Sequence, residues 1–212
     1  MTQEENGGTS HGVGGRVLIV DDDEAIRDSL TFLFSSRGLV AESFASGEAF
    51  LDRAKDDAPV CIVMDIRMTG IGGIECFDRF QQDGGTDPVI FLTGHADVPL
   101  AVEALKKGAF DFVEKPFNDN ALVESVIAGL NEAQTRYMRT ADRDALATRL
   151  KSLTPRERQV LDHLLEGRFN KQIADGLGIS MRTVEVHRSR VFEKMGVRNA
   201  VELSRLLVDG SL

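Results

Sequence analysis

The sequence has 212 residues, a hydrophobic fraction of 42% and a charged fraction of 28%, values that suit a soluble protein of two domains. No stretch reaches the roughly 18 apolar residues of a membrane helix, and no basic segment followed by an apolar run opens the chain, so we expect a cytoplasmic protein. Two cysteines are too few for a disulfide framework or a closed zinc site, and we interpret both as reduced packing residues.

The first part of the chain alternates short apolar runs with helical patterns. Residues 1 to 15 are polar and Gly-rich and predict a disordered tail. The predicted strands after it are 17 to 20, 41 to 44, 60 to 64, 89 to 92 and 110 to 113. The predicted helices are 24 to 36, about 46 to 54, 74 to 82, 98 to 107 and 119 onward. These five βα units predict a five-stranded parallel doubly wound α/β domain over residues 16 to 133.

Carboxylates follow two of these strands directly. Asp21, Asp22 and Asp23 come after the first strand, and Asp65 comes after the third. Ligands of such sheets lie beyond the carboxyl ends of the strands, so these groups converge if the two strands are neighbours. Clustered carboxylates repel one another unless a hard divalent cation neutralises them, which predicts a Mg²⁺ site.

A hydroxyl and an ammonium group follow two further strands. The fourth strand ends in Thr93, and the fifth leads to Lys115. A carboxylate nucleophile, a metal, a hydroxyl and an ammonium are the groups that phosphoryl transfer uses. Taken singly, each residue could be a helix cap or a solvated loop residue. Their joint position at the strand ends of one α/β unit favours function.

Residues 16 to about 133 resemble the receiver domain of response regulators, in particular the FixJ type, in VLIVDDDEAIRDSL, VMDIRM and FLTGHADVPLAVEALKKGAFDFVEKPF. The resemblance implies a CheY/flavodoxin-like fold with Asp65 as phosphoacceptor. The other roles it implies are Asp22, Asp65 and the Arg67 backbone carbonyl as Mg²⁺ ligands, Asp21 acting on the metal through water, Thr93 and Lys115 as phosphate partners, and Phe112 as aromatic switch. His95 belongs to the TGHAD loop pattern, so we expect no catalytic role for it. One departure is Thr69, where the family usually has proline, and we expect a looser turn there.

The same resemblance implies a partner histidine kinase, whose phosphohistidine supplies the phosphoryl group. The product places roughly −2 of charge on Asp65. Thr93 and Lys115 would then move toward the phosphate and Phe112 would turn inward. The reshaped face, residues 98 to 112, is the expected surface of a phosphorylation-dependent homodimer.

The chain changes character after residue 133. Residues 134 to 150 are polar and rich in Ala and Arg, which predicts a helical linker. The sign of the charge also changes, because residues 16 to 133 carry 10 Lys and Arg against 22 Asp and Glu, whereas residues 134 to 212 carry 15 against 10. An acidic half can hold a cation and a basic half can face phosphates, so nucleic acid is the expected partner of the second half.

Residues 151 to 212 predict a unit of four helices. Thr154, Pro155 and Glu157 give a capping box and a first-turn signal, and Gly167 ends that helix. Further helices are predicted at about 170 to 177, 181 to 195 and 200 to 208, separated by Gly178 and Gly196. Two short helices across a glycine-containing turn indicate a helix-turn-helix.

Steps of 100° divide the helix at 181 to 195 into two sides. The inward side carries Val184, His187, Arg188, Val191 and Met195, and the opposite side carries Arg182, Val186, Ser189, Arg190 and Glu193. Val186 is therefore apolar on a polar face, where it could contact a thymine methyl group. A basic face is more often simply solvated, and His187 is better explained by packing than as a ligand.

Leu153 to Leu207 resembles the LuxR-type four-helix DNA-binding domain in LTPRE, NKQIA and RTVEVHR. The resemblance implies that helix 181 to 195 is the recognition helix. Residues implied near phosphates are Lys171 and Thr183, and those implied near bases are Arg182, Glu185, Val186, Ser189 and Arg190. Because Glu185 would repel phosphate, we expect it to accept from a cytosine amino group or to orient an arginine.

Two other classes of protein share parts of this pattern. Aspartate-dependent phosphatases also use Asp, Mg²⁺ and Lys, but they need a second acid two residues after the nucleophile, where this chain has Arg67. A degenerate receiver would lack part of the pocket, which is complete here. We therefore expect a response regulator that regulates transcription, by analogy as an activator, and not a turnover enzyme.

Overall fold

The computed structural model describes residues 15–53, 58–94 and 98–209. Most of the expected disordered tail and His95 lie outside the described residues. The chain divides into two compact units, the first ending at Tyr137 and the second beginning at Met138. Each unit has its own core and is described by itself.

The first unit is a parallel sheet with helices on both faces. Its strands are β1 (Arg16–Val20), β2 (Val40–Phe44), β3 (Val60–Asp65), β4 (Val89–Thr93) and β5 (Asp111–Glu114), in the order β2-β1-β3-β4-β5. Its helices are α1 (Glu24–Ser36), α2 (Gly47–Leu51), α3 (Gly73–Gln82), α4 (Val98–Lys106) and the beginning of α5 (Asp119–Lys151). The predicted doubly wound α/β fold is confirmed.

Alternation along the central strands divides the core into two layers. Leu18 and Met64 pack on one face, with α2, α3 and α4. Ile19 and Val63 pack on the other face, with α1 and α5. Because successive strand residues point to opposite faces, a strand buried on both sides needs apolar residues at nearly every position. This requirement explains the unbroken apolar runs of β1, β3 and β4.

The two cysteines belong to these layers. Cys61 and Cys76 are free and fully buried, one in each layer. Burial raises the pKa of the Cys76 thiol to about 12. The interpretation of both as packing residues agrees with these surroundings.

The strand order sets the place of the functional site. β1 pairs with β2 on one side and with β3 on the other, with Val20 opposite Met64. The connections run in opposite directions from this point, which leaves a crevice at the carboxyl ends of β1 and β3. Asp21 and Asp65, the next residues on the two strands, meet at that crevice.

The second unit is entirely helical in the described range. It contains the end of α5, α6 (Pro155–Leu165), α7 (Asn170–Leu177), α8 (Met181–Met195) and α9 (Ala200–Asp209). Thr154 and Glu157 form the predicted capping box, and Gly178 and Gly196 end α7 and α8 with φ of 65° and 68°. Leu146 and Leu150, in the segment predicted as linker, pack with this core. Across the described ranges, every helix is too short or too polar to cross a membrane.

Candidate functional site

Three carboxylates meet at the carboxyl edge of the sheet. Asp21 and Asp22 follow β1, Asp65 ends β3, and one oxygen from each lies within 4.8 Å of the others. Asp21 and Asp65 are buried, whereas Asp22 is partly exposed. Burial raises the pKa of the Asp65 carboxyl, although the hydrogen bond and charge of Lys115 act against this rise.

Lys115 supplies the positive charge beside this cluster. Its Nζ lies 2.8 Å from Oδ1 of Asp65 and 3.1 Å from Oδ2 of Asp21. Burial alone would lower the pKa of the ammonium group, but the hydrogen bond to Asp65 and the charges of both carboxylates raise it. Lys115 therefore stays charged and offsets part of the repulsion between the acids.

Thr93 ends β4, the neighbour of β3, and Phe112 lies on β5. The backbone N–H of Lys115 donates to the Thr93 carbonyl at 2.7 Å, which joins the ends of β4 and β5. The buried Thr93 hydroxyl donates to the Gly94 carbonyl at 3.1 Å. Phe112 is half-buried and packs against the layer of α2, α3 and α4.

The loop after Asp65 donates two backbone hydrogen bonds to the acids. The Arg67 N–H donates to Oδ2 of Asp65 at 3.2 Å, and the Thr69 N–H donates to Oδ2 of Asp22 at 2.8 Å. The Thr69 bond is the main reason that the pKa of the Asp22 carboxyl is lowered. The loop thus holds two of the three acids.

Sequence reasoning missed the groups that support this pocket from outside. Glu48 at the start of α2 accepts from the Ile71 N–H at 3.1 Å, and Arg27 donates to the Asp21 carbonyl at 2.8 Å. A Cβ on Gly73 would lie 2.1 Å from the Asp65 carbonyl oxygen, so this glycine keeps α3 close to the acid. Of these three features, the glycine pair Gly72-Gly73 could have been noticed in the sequence, as a sign of a close backbone approach.

In the second unit, α8 has the two faces that its periodicity predicts. Val184, Val191 and Met195 are buried in the core, and His187 and Arg188 are half-buried. The outward residues are exposed, and Val186 keeps 46% of its surface exposed. The other exposed residues of the predicted DNA contacts are Lys171, Arg182, Glu185, Ser189 and Arg190.

Thr183 is the exception in this set. It is half-buried, and its hydroxyl lies 2.8 Å from the Ser180 hydroxyl, which caps the first turn of α8 through the Thr183 N–H. A phosphate contact by Thr183 would therefore compete with this capping pair.

The far end of α8 is fixed by two basic residues. Lys194 donates to Oε2 of the buried Glu157 at 2.7 Å and to the Ser152 carbonyl at 2.9 Å. Arg149 on α5 donates to the Met195 carbonyl at 3.0 Å, where α8 ends. Sequence reasoning found Glu157 as a cap but missed both basic partners, because their positions depend on tertiary packing.

Two family models match the chain, one in each unit. The family model "Response regulator receiver domain" matches residues 17–127, and "Bacterial regulatory proteins, luxR family" matches residues 151–207. The transcriptional regulatory protein for C4-dicarboxylate transport DctR of Rhodobacter capsulatus is 51% identical over 192 residues, covering 90% of this chain and 98% of DctR. FixJ of Bradyrhizobium diazoefficiens is 43% identical, covering 91% of this chain and 94% of FixJ.

The solved structure of the response regulator StyR has a TM-score of 0.86 and 37% identity, covering 92% of this chain and 98% of StyR. Both family matches and the whole-length likeness therefore point to the same two-part protein. The chain is a response regulator with a receiver domain and a LuxR-type DNA-binding domain, and it is homologous to the FixJ and DctR transcriptional regulators.

Proposed function

We propose that Asp65 is the phosphoacceptor of a switch that controls DNA binding by the second unit. The observation that carries this proposal is the Lys115 ammonium, which contacts Asp65 and Asp21 together at the edge where β1 and β3 meet. A buried carboxylate beside a fixed cation can receive a negatively charged group that would otherwise be repelled. The receiver domain implies a histidine kinase as the donor.

The acidic pocket suits Mg²⁺. Oxygen atoms within 4.8 Å of one another can share one small ion after slight side-chain movement, and Mg²⁺ prefers oxygen ligands. Asp22, Asp65 and the Arg67 carbonyl would hold the ion directly, and Asp21 would hold it through water. When bound, the ion neutralises charge on the incoming phosphoryl oxygens.

The residues of the chain carry out the transfer. An oxygen of Asp65 attacks the phosphorus of the kinase phosphohistidine. The P–O bond forms as the P–N bond breaks, and the imidazole leaves with its electron pair and takes up a proton. Lys115 then pairs with the phosphate, and Thr93 exchanges its bond to Gly94 for one to the phosphate. The space this leaves admits the Phe112 ring.

The pocket supports a stoichiometric switch and not a turnover enzyme. Hydrolysis of an aspartyl phosphate is fastest when an acid or base activates the attacking water. The residue two positions after Asp65 is Arg67, which has no such group. The phosphoryl group therefore stays long enough to act as a signal.

The output we propose is transcriptional regulation in the cytoplasm, by analogy activation. Residues 16 to 133 form the receiver, 134 to 150 the linker and 151 to 212 the DNA-binding domain. Two copies of the chain would dimerise through residues 98 to 112. Their two α8 helices would then lie in successive major grooves of the DNA. Because the relative with 51% identity is named for C4-dicarboxylate transport, promoters of such transport genes are the first targets to test.

The phosphoacceptor is tested by an Asp65→Asn variant. The amide is nearly isosteric but lacks the nucleophilic anion, so we expect no covalent adduct after incubation with acetyl phosphate and Mg²⁺, measured by intact mass. Asp23→Asn is the matched control, since Asp23 caps α1 through the Ala25 N–H and Asn is an equally good cap. A stable, Mg²⁺-dependent acyl phosphate on Asp65→Asn would falsify the assignment.

A further inference from the structure

Arg188 lies on the inward side of α8, away from the exposed arginines of that helix. Each residue turns a helix by about 100°, so Arg188 is about 200° from Val186 on the outward face. Arg188 is half-buried, whereas Arg182 and Arg190 are exposed. An arginine on this side of the helix is placed to contact protein groups and not base edges.

Its guanidinium group joins α8 to the first residue of α7. Nη1 donates a hydrogen bond to Oδ1 of Asn170, 18 positions earlier in the chain. The centroid of the Phe192 ring, one turn further along α8, lies 5.6 Å from Cζ of Arg188, and Phe192 packs against the core of the second unit. One contact to an amide oxygen and one to an aromatic ring thus fix the guanidinium group in place.

The hydrogen bond to Asn170 joins the two helices at the end far from their turn. α7 ends at Gly178, which has φ of 65° and begins the turn to α8. Asn170 is at the other end of α7, which has eight residues, so about 10 Å of helix separate it from that turn. Apolar contacts such as that of Ile173 with the core hold the helices together but are not directional. A hydrogen bond far from the turn is directional and therefore fixes the angle between α7 and α8.

The angle between α7 and α8 decides where Lys171 lies. Lys171 follows Asn170 directly, is exposed, and is the proposed contact with a DNA phosphate. The proposed base contacts, in contrast, are on α8. Because phosphate contacts set the register of a protein on the duplex, both kinds of contact can form together only if Lys171 keeps a fixed place relative to α8.

We propose that Arg188 is a positioning residue for DNA binding, and that through Asn170 it holds the start of α7 so that Lys171 meets a phosphate while α8 contacts the bases. This inference rests on the proposed function, since Lys171 and the outward residues of α8 are proposed DNA contacts. Phosphate contacts carry no sequence information directly. Loss of the bond between Arg188 and Asn170 should therefore weaken binding to every duplex by a similar factor.

The test measures DNA binding by the full-length protein, after incubation with acetyl phosphate and Mg²⁺, at several salt concentrations. Its probes are the duplex that the wild type prefers in a selection from random DNA and a scrambled duplex of the same length. Asn170→Ala removes the acceptor without changing the charge, and Arg188→Gln removes the donor. We expect each variant to bind both duplexes about tenfold more weakly, and to lower the slope of the log binding constant against the log salt concentration by about one.

Arg158→Gln is the matched control, because it removes the same charge from an exposed arginine on α6. It should bind both duplexes like the wild type, with an unchanged salt slope. A variant that is partly unfolded would lose binding without a change in the slope, so the slope separates a positioning role from a loss of fold.

Double variants test the path from Arg188 to the DNA. If the three residues act as one unit, their effects are not additive, and Arg188→Gln should cause little further loss in a protein that already carries Asn170→Ala or Lys171→Ala. Additive losses in either pair, or single variants that bind like the wild type, would overturn the inference. Lys171→Ala protein that binds both duplexes as tightly as the wild type would overturn the proposed phosphate contact itself, so the two failures are distinguishable.

Discussion

Glu157 is a carboxylate that the fold keeps charged although it is only 2% exposed. Its Oε2 accepts from Lys194 at 2.7 Å and from the Thr154 N–H at 2.9 Å. Chiefly through the Lys194 bond, these partners lower the pKa of Glu157 from its usual 4.5 to about 2. One side chain thus both caps α6 and anchors the end of α8.

The lowered pKa of Glu157 predicts an acid-sensitive second unit. The unfolded chain takes up the proton first, so the stabilisation is fully present above pH 4.5 and is lost as the pH falls toward about 2. Glu157→Gln should reduce the free energy of unfolding of this unit by roughly 3 kcal/mol at neutral pH and flatten that acid slope. Urea unfolding followed by NMR signals of residues 138 to 209 measures both effects.

Glu193→Gln is the control for this experiment, because Glu193 is an exposed carboxylate on α8. It should leave stability and its pH dependence unchanged. If Glu157→Gln is as stable as this control near neutral pH, Glu157 does not anchor α8.

Two variants, one on α8 and one on α7, separate recognition of the DNA sequence from charge attraction to its backbone. Val186 offers only methyl groups on the exposed face, so Val186→Ser should remove apolar readout without changing the charge. We expect the variant to lose about 1 to 3 kcal/mol of binding free energy on the preferred duplex and to bind a scrambled duplex almost unchanged. Lys171→Ala should weaken binding to both duplexes. It should also lower the slope of the log binding constant against the log salt concentration by about one.

Salt titrations of both variants on both duplexes make this measurement. The placement of α8 in the groove is wrong if Val186→Ser weakens binding to both duplexes equally, or if Lys171→Ala weakens binding only to the preferred duplex.

Elements were more predictable than the contacts between them. The strand and helix positions follow from periodicity, which is local, and the edge strand β2 gave a weak signal because the exposed Glu42 and Ser43 interrupt its apolar run. The convergence of Asp21, Asp65 and Lys115 followed from parallel-sheet geometry. The contact between Glu48 and Ile71 could not be predicted, because it joins residues 23 apart across a loop of irregular conformation.

For the whole molecule, we expect phosphorylation to drive dimerisation through residues 98 to 112. DNA half-sites lie about 34 to 36 Å apart, and two linked DNA-binding domains bind DNA far more tightly than one. On α4, Leu100 and Val102 are each 40% exposed and give this face apolar contact area. Val102→Glu should keep the phosphorylated protein monomeric in size-exclusion chromatography at micromolar concentration.

The matched control is Val40→Glu, since Val40 is also valine and is exposed on β2, away from this face. It should still dimerise when phosphorylated. Wild-type phosphoprotein that elutes at the same monomeric size as the free protein would count against a phosphorylation-dependent dimer.

The core of the second unit also defines which segment can be exchanged between proteins by gene fusion. Leu146 is 7% exposed and packs with Leu150 in that core, and Arg149 caps α8. All three residues precede residue 151, where the luxR family match begins. A recombination point at residue 151 would remove Leu146 and Leu150 from the core of the second unit and the Arg149 hydrogen bond from the end of α8. We therefore expect that a fusion joining this DNA-binding unit to another receiver folds properly when it also carries the last two turns of α5.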